Sequence, residues 1–522
     1  MTTELAVETP WRRLDPRMLV VTPLGMAVRL LPAFALVLIT GGGTDDRGRL
    51  IGTGVAIVLM VALGVVRWRT TRYRITPDRV ELHSGWLRRQ RRSVPRDRIR
   101  TVDLTAKLEH RLFGLSVVKV GSASGSSTEH HGLSLDAVSR AEADLLRREL
   151  LDHSPASVPV AAAAAPAPVE VLARLDWSWL RFAPLTFSSL AGVGVIAAAA
   201  FNILTDLGVN PTEIGAVDDA AIRLSRGPVW AAVGVVAAIV LAAAVVGAVA
   251  LFTERWFGYR LTRERSGEGS ALRVHRGLLT RRSLSVAERR MRGAEIVEPL
   301  LLRAGRGAQC RALSAGLARD AQGGVLQPPA PRAEAHRVAA AALREHPSEI
   351  TAAVLRRHPR AALNRRMTRA LGPTSVLVVV AFVVGALVPW LAWAGPTSLV
   401  LLPVAALVGW DRYRNLGHEL TSRYLVSRQG SVARRTVALQ RSGVIGWTVR
   451  QSIFQRRVGL VTLEAVTGAG AGGYAVLDLT AADAVALADA AVPDLLAPFR
   501  MAPSVDHGKT ADGGSPSTTF SP

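Results

Sequence analysis

The chain has 522 residues, 49% of them hydrophobic, and a formal net charge of +23. That length exceeds a single hydrophobic core, and one cysteine, Cys310, excludes a disulfide framework and any multi-cysteine metal site. Strong basicity points to nucleic acid or an anionic membrane as partner, and long uninterrupted apolar runs select the membrane. Lys107, Lys119 and Lys509 are the only lysines. So lopsided a count reflects coding bias, and the arginines are read as charge alone.

Six runs approach the roughly 20 apolar residues that cross hydrocarbon: 22–40, 50–66, 183–204, 228–252, 373–394 and 396–410. They fall in three closely spaced pairs, which argues against buried core helices. The last is short, and Gly395-Pro396 leaves a re-entrant hairpin open there. Arg29 is the one formal charge within the runs and stands near enough to an edge to snorkel. No small-residue cleavage pattern closes the first run, so it reads as a retained anchor. Trp68, Trp177, Trp179, Trp230, Trp256, Trp390, Trp393 and Trp410 stand at or near run ends, where an amphipathic ring suits the headgroup layer. Trp86 and Trp447 instead fall well inside the polar segments.

Arginine sets the orientation. The segments WRRLDPR, RWRTTRYR, ERWFGYRLTRERS and LNRRMTR lie on one side, and the loops 41–49 and 205–227, with balancing acids, lie on the other. The positive-inside rule places the basic segments and both termini in the cytoplasm of a multi-pass protein of the cell membrane.

The polar segments repeat. YRITPDRVELHSGWLRRQRRSVPRDRI begins at Tyr73, YRLTRERSGEGSALRVHRGLLTRRSLSVAERRM at Tyr259, and HELTSRYLVSRQGSVARRTVALQRSGVI at His418. Gly85 precedes Arg98, and Gly277 precedes Arg290, by the same spacing. In the third copy the glycine is Gly430, Val437 matches Val94, Arg441 matches Arg98, and the turn is two residues shorter. Lead-ins echo as well, with Arg13-Leu14-Asp15 before the first pair of runs and Arg174-Leu175-Asp176 before the second. Each copy reads as strand, glycine turn and strand, with further strands such as 116–123 and 459–467. Each then closes on an amphipathic helix, over 134–151, 330–346 and 479–496.

Paired apolar runs followed by Y-x-[IL]-T, a G-x-L-x-R-R-like hairpin, S-V-x-x-x-R-I and R-x-x-G-L (Arg111 to Leu115) resemble the YdbT-like membrane proteins with bacterial pleckstrin-homology (PH) domains of type 2. The likeness covers nearly all of the chain up to about residue 500. It implies a multi-pass membrane protein with six transmembrane α-helices in three hairpins and three cytosolic PH-like β half-barrels, each closed by a C-terminal helix. The chain then divides into a cytosolic N-terminus (1–21), a first hairpin (22–66), a first PH-like domain (67–151), an Ala/Pro-rich linker (152–182) and a second hairpin (183–252). A divergent second domain (253–346), a basic juxtamembrane segment (347–372), a third hairpin (373–410), a third domain (411–500) and a disordered tail (501–522) follow. Tyr73, Thr76, Gly85 and Gly114 define the first repeat, Tyr259, Thr262 and Gly277 the second, and Thr421, Gly430 and Gly459 the third. The second departs from R-x-x-G-L with LLLRAGRGAQC, and the third has His418 for the leading tyrosine.

The candidate contact surface is the stripe Arg88, Arg89, Arg91, Arg92, Arg96, Arg98 and Arg100, suited to anionic headgroups; a solvated face is the plainer alternative. GAGAGG at 468–473 contains a literal G-x-G-x-x-G, but a strand follows it, so a hairpin turn is expected. His507-Gly508-Lys509-Thr510 lacks the P-loop glycine frame. Glu129-His130-His131 reads as a loop rather than a metal site, and Cys310 has no general base beside it. The expectation is no catalytic site, no cofactor, no metal and no nucleic-acid partner, since the charge lacks an RNP-like aromatic sheet motif. The expected function is a non-enzymatic, membrane-anchored binding or scaffolding protein that engages membrane lipids, a protein partner or a second copy of itself. The family resemblance links it to envelope stress or antimicrobial-peptide resistance. The alternative is a transporter or lipid-handling protein with PH-like regulatory domains, for which Asn202 and a kink at Pro389 speak.

Overall fold

The structure is a computed structural model and describes residues 10–21, 64–66, 68–86, 89–96, 99–122, 133–151, 169–186, 228–266, 269–314, 324–493 and 495–496, with isolated positions between 55 and 62. The runs 22–40, most of 50–66 and most of 183–204 lie outside these residues. So do most of the Ala/Pro-rich linker, the tail, Arg29, Asn202, the 129–131 triplet and 507–510.

The first domain is built from β1 (Arg12–Arg13), β2 (Arg72–Ile75), β3 (Arg79–Ser84), β4 (Gln90–Pro95), β5 (Ile99–Ala106), β6 (Leu115–Ser122), β7 (Leu133–Ser139) and helix α1 (Arg140–Leu151). Strands β1 to β4 pair in that order as one antiparallel sheet, and β5 to β7 as a second. Alternating residues put Tyr73, Val80, Leu82 and Val94 of the first sheet against Val102, Val118 and Leu135 of the second. Leu146 and Leu150 of α1 close the open end.

The plan recurs. Strand β8 (Glu170–Arg174) precedes the long helix α2 (Val229–Trp256), which leads into β9 (Arg260–Ser266), β10 (Gly269–Arg276), β11 (Arg281–Ala287), β12 (Met291–Pro299), β13 (Gly307–Ser314), β14 (Ala330–Pro331) and α3 (Arg332–Leu343). The third unit follows helices α4 (Arg360–Leu387) and α5 (Leu401–Arg414). It comprises β15 (Gly417–Leu420), β16 (Tyr424–Gln429), β17 (Ala433–Gln440), β18 (Val444–Arg450), β19 (Leu460–Thr467), β20 (Gly473–Thr480) and α6 (Ala481–Ala491). The GAGAGG stretch is the turn between β19 and β20.

Three described helices are long and apolar enough to cross a membrane: Ala237–Trp256, Arg360–Leu387 and Pro389–Arg414. The last two pack as a hairpin whose reversal falls at Val388-Pro389, because a proline lacks an N–H and ends the preceding helix. Small residues seat the pair closely: a Cβ on Gly395 would lie 2.7 Å from the Phe382 ring, and one on Gly409 3.0 Å from Met367 Sδ.

Each domain begins before its apolar runs rather than after them. β1 pairs with β2, β8 pairs with β9, and Arg356 bridges to His418. Leu14, Met18 and Val21 sit in the first core, and Leu172, Trp179 and Phe182 in the second. The N-terminal segment, the end of the 152–182 linker and part of the 347–372 segment are therefore domain, and the echoed Arg-Leu-Asp lead-ins are the same structural step. In each, the aspartate caps the turn that follows: Asp15 accepts from the Arg17 N–H and Asp176 from the Ser178 N–H, both at 2.9 Å.

The domains are also continuous with one another. β5 pairs with β11 and β12 pairs with β17, so the second sheet of one domain and the first sheet of the next form a single antiparallel sheet. An offset of 192 residues carries the first domain onto the second between Gly85 and Arg140, and 153 carries the second onto the third between Gly277 and Thr467. The third hairpin is thus not shortened: Leu439, not Val437, stands where Val94 does, and Arg441 matches Arg96 rather than Arg98. Contacts agree with this assignment. Arg96 donates to the Glu149 carbonyl at the end of α1, and Arg441 to the Ala490 and Ala491 carbonyls at the end of α6. Both meet the negative pole of a helix. The second domain does the same with reversed parts, Glu288 pairing with Arg344 just past α3.

Gly85, Gly277 and Gly430 have φ of 101°, 108° and 100°, and Gly114 and Gly459 have 70° and 66°, values an L side chain adopts at a cost. In the divergent repeat Arg306 takes the left-handed position, at φ 57°, and Gly307 replaces the leucine found at Leu115 and Leu460. Leu302 and Phe182 fill the space: a Cβ on Gly307 would lie 2.6 Å from Leu302 Cδ1 and 2.7 Å from the Phe182 ring. Thr76 and Thr421 accept in turns from Arg79 N–H and Tyr424 N–H, whereas Thr262 lies mid-strand because the β9–β10 hairpin is longer. Gly307→Leu should overpack this site and cost about 1–3 kcal/mol. The expected result is a lowered Tm in detergent melts, while Gly446→Ala, with open space around it, leaves the Tm nearly unchanged.

A candidate anion site at the first joint

The second joint shows what the sheet junction does with charge. Glu298 on β12 stands directly opposite Arg434 on β17 and is 1% exposed. It accepts from Arg434 Nε and Nη2, both at 2.7 Å, and lies 3.3 Å from Arg332 Nε at the start of α3. Burial pushes its pKa up, but the hydrogen bonds and charge of Arg434, joined by Arg332, outweigh that and hold it below the ordinary carboxylate value.

The first joint has the same two arginines and no carboxylate at the position of Glu298. By the 192- and 153-residue offsets, Arg140 occupies the place of Arg332 and Arg281 that of Arg434, while Ala106 replaces Glu298. Ala106 stands directly opposite Arg281, as Glu298 does opposite Arg434. Ala106 lines a cavity of about 290 Å³ together with Leu108, Leu112, Arg111, Arg140, Arg273, Arg281, Arg282 and His275, with Asp144 the one acid. Asp144 is 3.4 Å from Arg273 and 3.8 Å from Arg147. Arg273 also reaches Glu264 at 3.2 Å, and Arg111 donates to the Leu278 carbonyl across the joint. Among the described residues, neither Arg140 nor Arg281 is paired with a carboxylate. Burial and the neighbouring Arg111 and Arg140 hold the Arg281 guanidinium below its ordinary value. Burial, then Arg273, Arg281, Arg140 and Arg260, lower the pKa of His275. An oxyanion placed between Arg140 and Arg281 would satisfy both forks. Exposed Leu108 and Leu112 at the mouth add an apolar lip.

The arginine stripe is divided by the structure. Arg89, Arg91 and Arg92 are exposed along β4, and Arg96 is the clamp on α1. Arg88, Arg98 and the Arg100 side chain lie outside the described residues. The leading tyrosines are structural: Tyr73 Oη donates to Glu142 at 2.6 Å and Tyr259 Oη to the Leu326 carbonyl at 2.7 Å. Cys310 is fully buried in β13, and burial pushes its thiol up to about 12. Sequence reasoning missed Arg140, Arg281 and Ala106. The signal was the Ala106–Glu298 difference, readable only once the repeats are aligned by structure.

A two-sheet half-barrel with a closing helix, three times over and interleaved with membrane-length helices, defines a membrane protein with PH-like domains. The model of the bacterial PH domain family matches residues 26–154, 201–346 and 371–491, and the chain belongs to that family. It is 22% identical over 455 residues, 83% of this chain and 87% of the other, to the UPF0699 transmembrane protein YdbT of Bacillus subtilis (strain 168). No solved structure matches the chain.

His275 supplies a pH test. Its folded pKa lies below the unfolded value near 6.5, so its contribution to stability is full above that value and is lost as pH falls through it toward the folded pKa. His275→Gln should therefore flatten the fall in Tm of the full-length chain in neutral lipid between about pH 7 and pH 5, measured against the unaltered protein.

Proposed function

We propose that the chain is a non-enzymatic scaffold of the cell membrane, with both termini and its three PH-like domains cytosolic, that binds anionic phosphate headgroups at the first joint. The carrying observation is that Arg140 and Arg281 repeat the pair of guanidiniums that elsewhere holds Glu298, with no carboxylate between them. The domains stand next to membrane-length helices, so headgroups are present at high effective concentration without any search. Leu108 and Leu112 at the rim suit the glycerol end of a lipid better than a free polyanion such as nucleic acid. Arg89, Arg91 and Arg92 add a non-specific attraction of about 1 kcal/mol each near an anionic surface. The arginine-rich segments beside the apolar runs support the cytosolic orientation. A place in envelope integrity, which the family resemblance suggests, belongs to this reading.

The test is thermal unfolding of the full-length protein in nanodiscs of phosphatidylcholine with and without phosphatidylglycerol. Occupancy at about 100 times Kd stabilises by about 2.7 kcal/mol, seen as a higher Tm with the anionic lipid. Arg140→Gln with Arg281→Gln should abolish the shift, and Arg91→Gln with Arg92→Gln should retain most of it. A shift unaffected by the first pair, or absent altogether, sinks the reading.

A further inference from the structure

Both joints use one register. Thr101 faces Val286 in the first and Gly293 faces Leu439 in the second, and these are equivalent positions under the 192- and 153-residue offsets. The donor strand also carries the same bulge each time, between Ile99 and Thr101, Met291 and Gly293, and Val444 and Gly446. The third instance has no next domain to join. Among the described residues, β18 pairs only with β19 at one end of the row, and β4 only with β3 at the other. The row therefore ends in two halves of the joint it has already made twice.

We infer that the chain assembles head to tail with further copies of itself, β18 of one copy adding to β4 of the next in the register of the two internal joints. Carrying that register over sets Gly446 opposite Val94, Trp447 opposite Ser93, Thr448 opposite Arg92 and Val449 opposite Arg91. The surroundings of the two edges match. Trp86, 70% exposed, occupies the hairpin-tip position of Leu278, whose carbonyl accepts from Arg111 in the first joint. Arg456, the equivalent of Arg111, is exposed at the far end. Beside it Ile453 and Phe454 are 74% and 72% exposed, against 47% and 41% for their equivalents Leu300 and Leu301 at the second joint, where the Leu300 N–H donates to the Val432 carbonyl. Ile445 and Val449 on β18 are exposed too. An acid stands near the new edge as well, already paired with Arg450 at 3.0 Å. Thr448 occupies the place of Asp103 and Glu295, acids at the existing joints, and the acid in the third domain is its cross-strand neighbour Glu464. Arg92 thus comes into line with Thr448 and Glu464 on one face. A charged edge alone would serve to keep strands apart, but it leaves the apolar residues around both edges without a use. The contact is heterologous, so it extends into a row or closes into a ring. It rests on sheet register and on the residues of the two edges, and is independent of the anion reading.

Two differently tagged full-length copies are expressed together in one membrane, one carrying Arg92→Cys and the other Thr448→Cys. Native Cys310 is buried and does not compete. Directly opposed residues lie within disulfide reach, so mild oxidation of isolated membranes should give a covalent heterodimer. Arg91→Cys with Thr448→Cys, a one-residue slip that turns the side chain to the other face, should give at least about tenfold less. Equal or absent crosslinking, with the chain monomeric by native mass measurement, overturns the proposal. Protection of Ile453→Cys from a water-soluble maleimide provides a second reading. Protection that disappears in vesicles holding one copy each supports the joint, and protection that persists there assigns the cover to lipid and overturns it.

Discussion

The backbone of an outer strand must satisfy its N–H and C=O groups, and this protein does so by lending each strand to the next domain. A half-barrel of two facing sheets leaves β5 and β12 with an unpaired edge. Each finds its partner in the first sheet of the following unit. Ladders of hydrogen bonds tie the three domains, and the side chains that flank each ladder decide how firmly. Every donor strand carries a bulge at its start, which increases the local bend and twist of the strand.

The two junctions differ at one residue, Ala106 in the first and Glu298 in the second. Where Glu298 stands, the joint supplies its own anion and is locked by a buried ion pair with Arg434, an arrangement that is strongly destabilised if either partner is removed. Where Ala106 stands, the guanidiniums remain and the space is open. A structural salt bridge and a candidate ligand site are thus alternative states of one repeat position. Repetition of a domain can present such a pair of guanidiniums without building it anew, because the same register recurs at both joints.

Anchoring to the membrane helices uses equally local chemistry. Buried Asp478, at φ 59°, takes Arg365 and Arg366 from the base of α4 and Gln455 from the third domain. Asp411 at the end of α5 binds Arg303 of the second domain at 2.9 Å and Ser431 of the third at 2.7 Å. In the second and third domains the lead-in strand or bridge comes before the described long helices, so those helices are insertions into the domain rather than stalks attached to it. A displacement of a helix base would be felt directly in the sheet it interrupts.

The periodicity of the sequence was enough to define three repeats, their glycine turns, the closing helices and the membrane character, because each of these is set by residues close in the chain. Gly85, Gly277 and Gly430 mark their turns through a backbone requirement that no distant contact alters. The part of Phe182 in excluding a side chain at Gly307 was not legible, since the two are far apart in sequence and meet only in the folded core, where Leu302 joins them. Nor was the third repeat alignable from letters alone: Val437 and Leu439 both suit a strand, and only pairing and the clamps of Arg96 and Arg441 choose between them. The edge-to-edge sheets, and with them the pairing of Ala106 with Arg281 and Glu298 with Arg434, are long-range events. Tertiary structure decided them, because strand register between domains is fixed by the match of two surfaces and by no single stretch of chain.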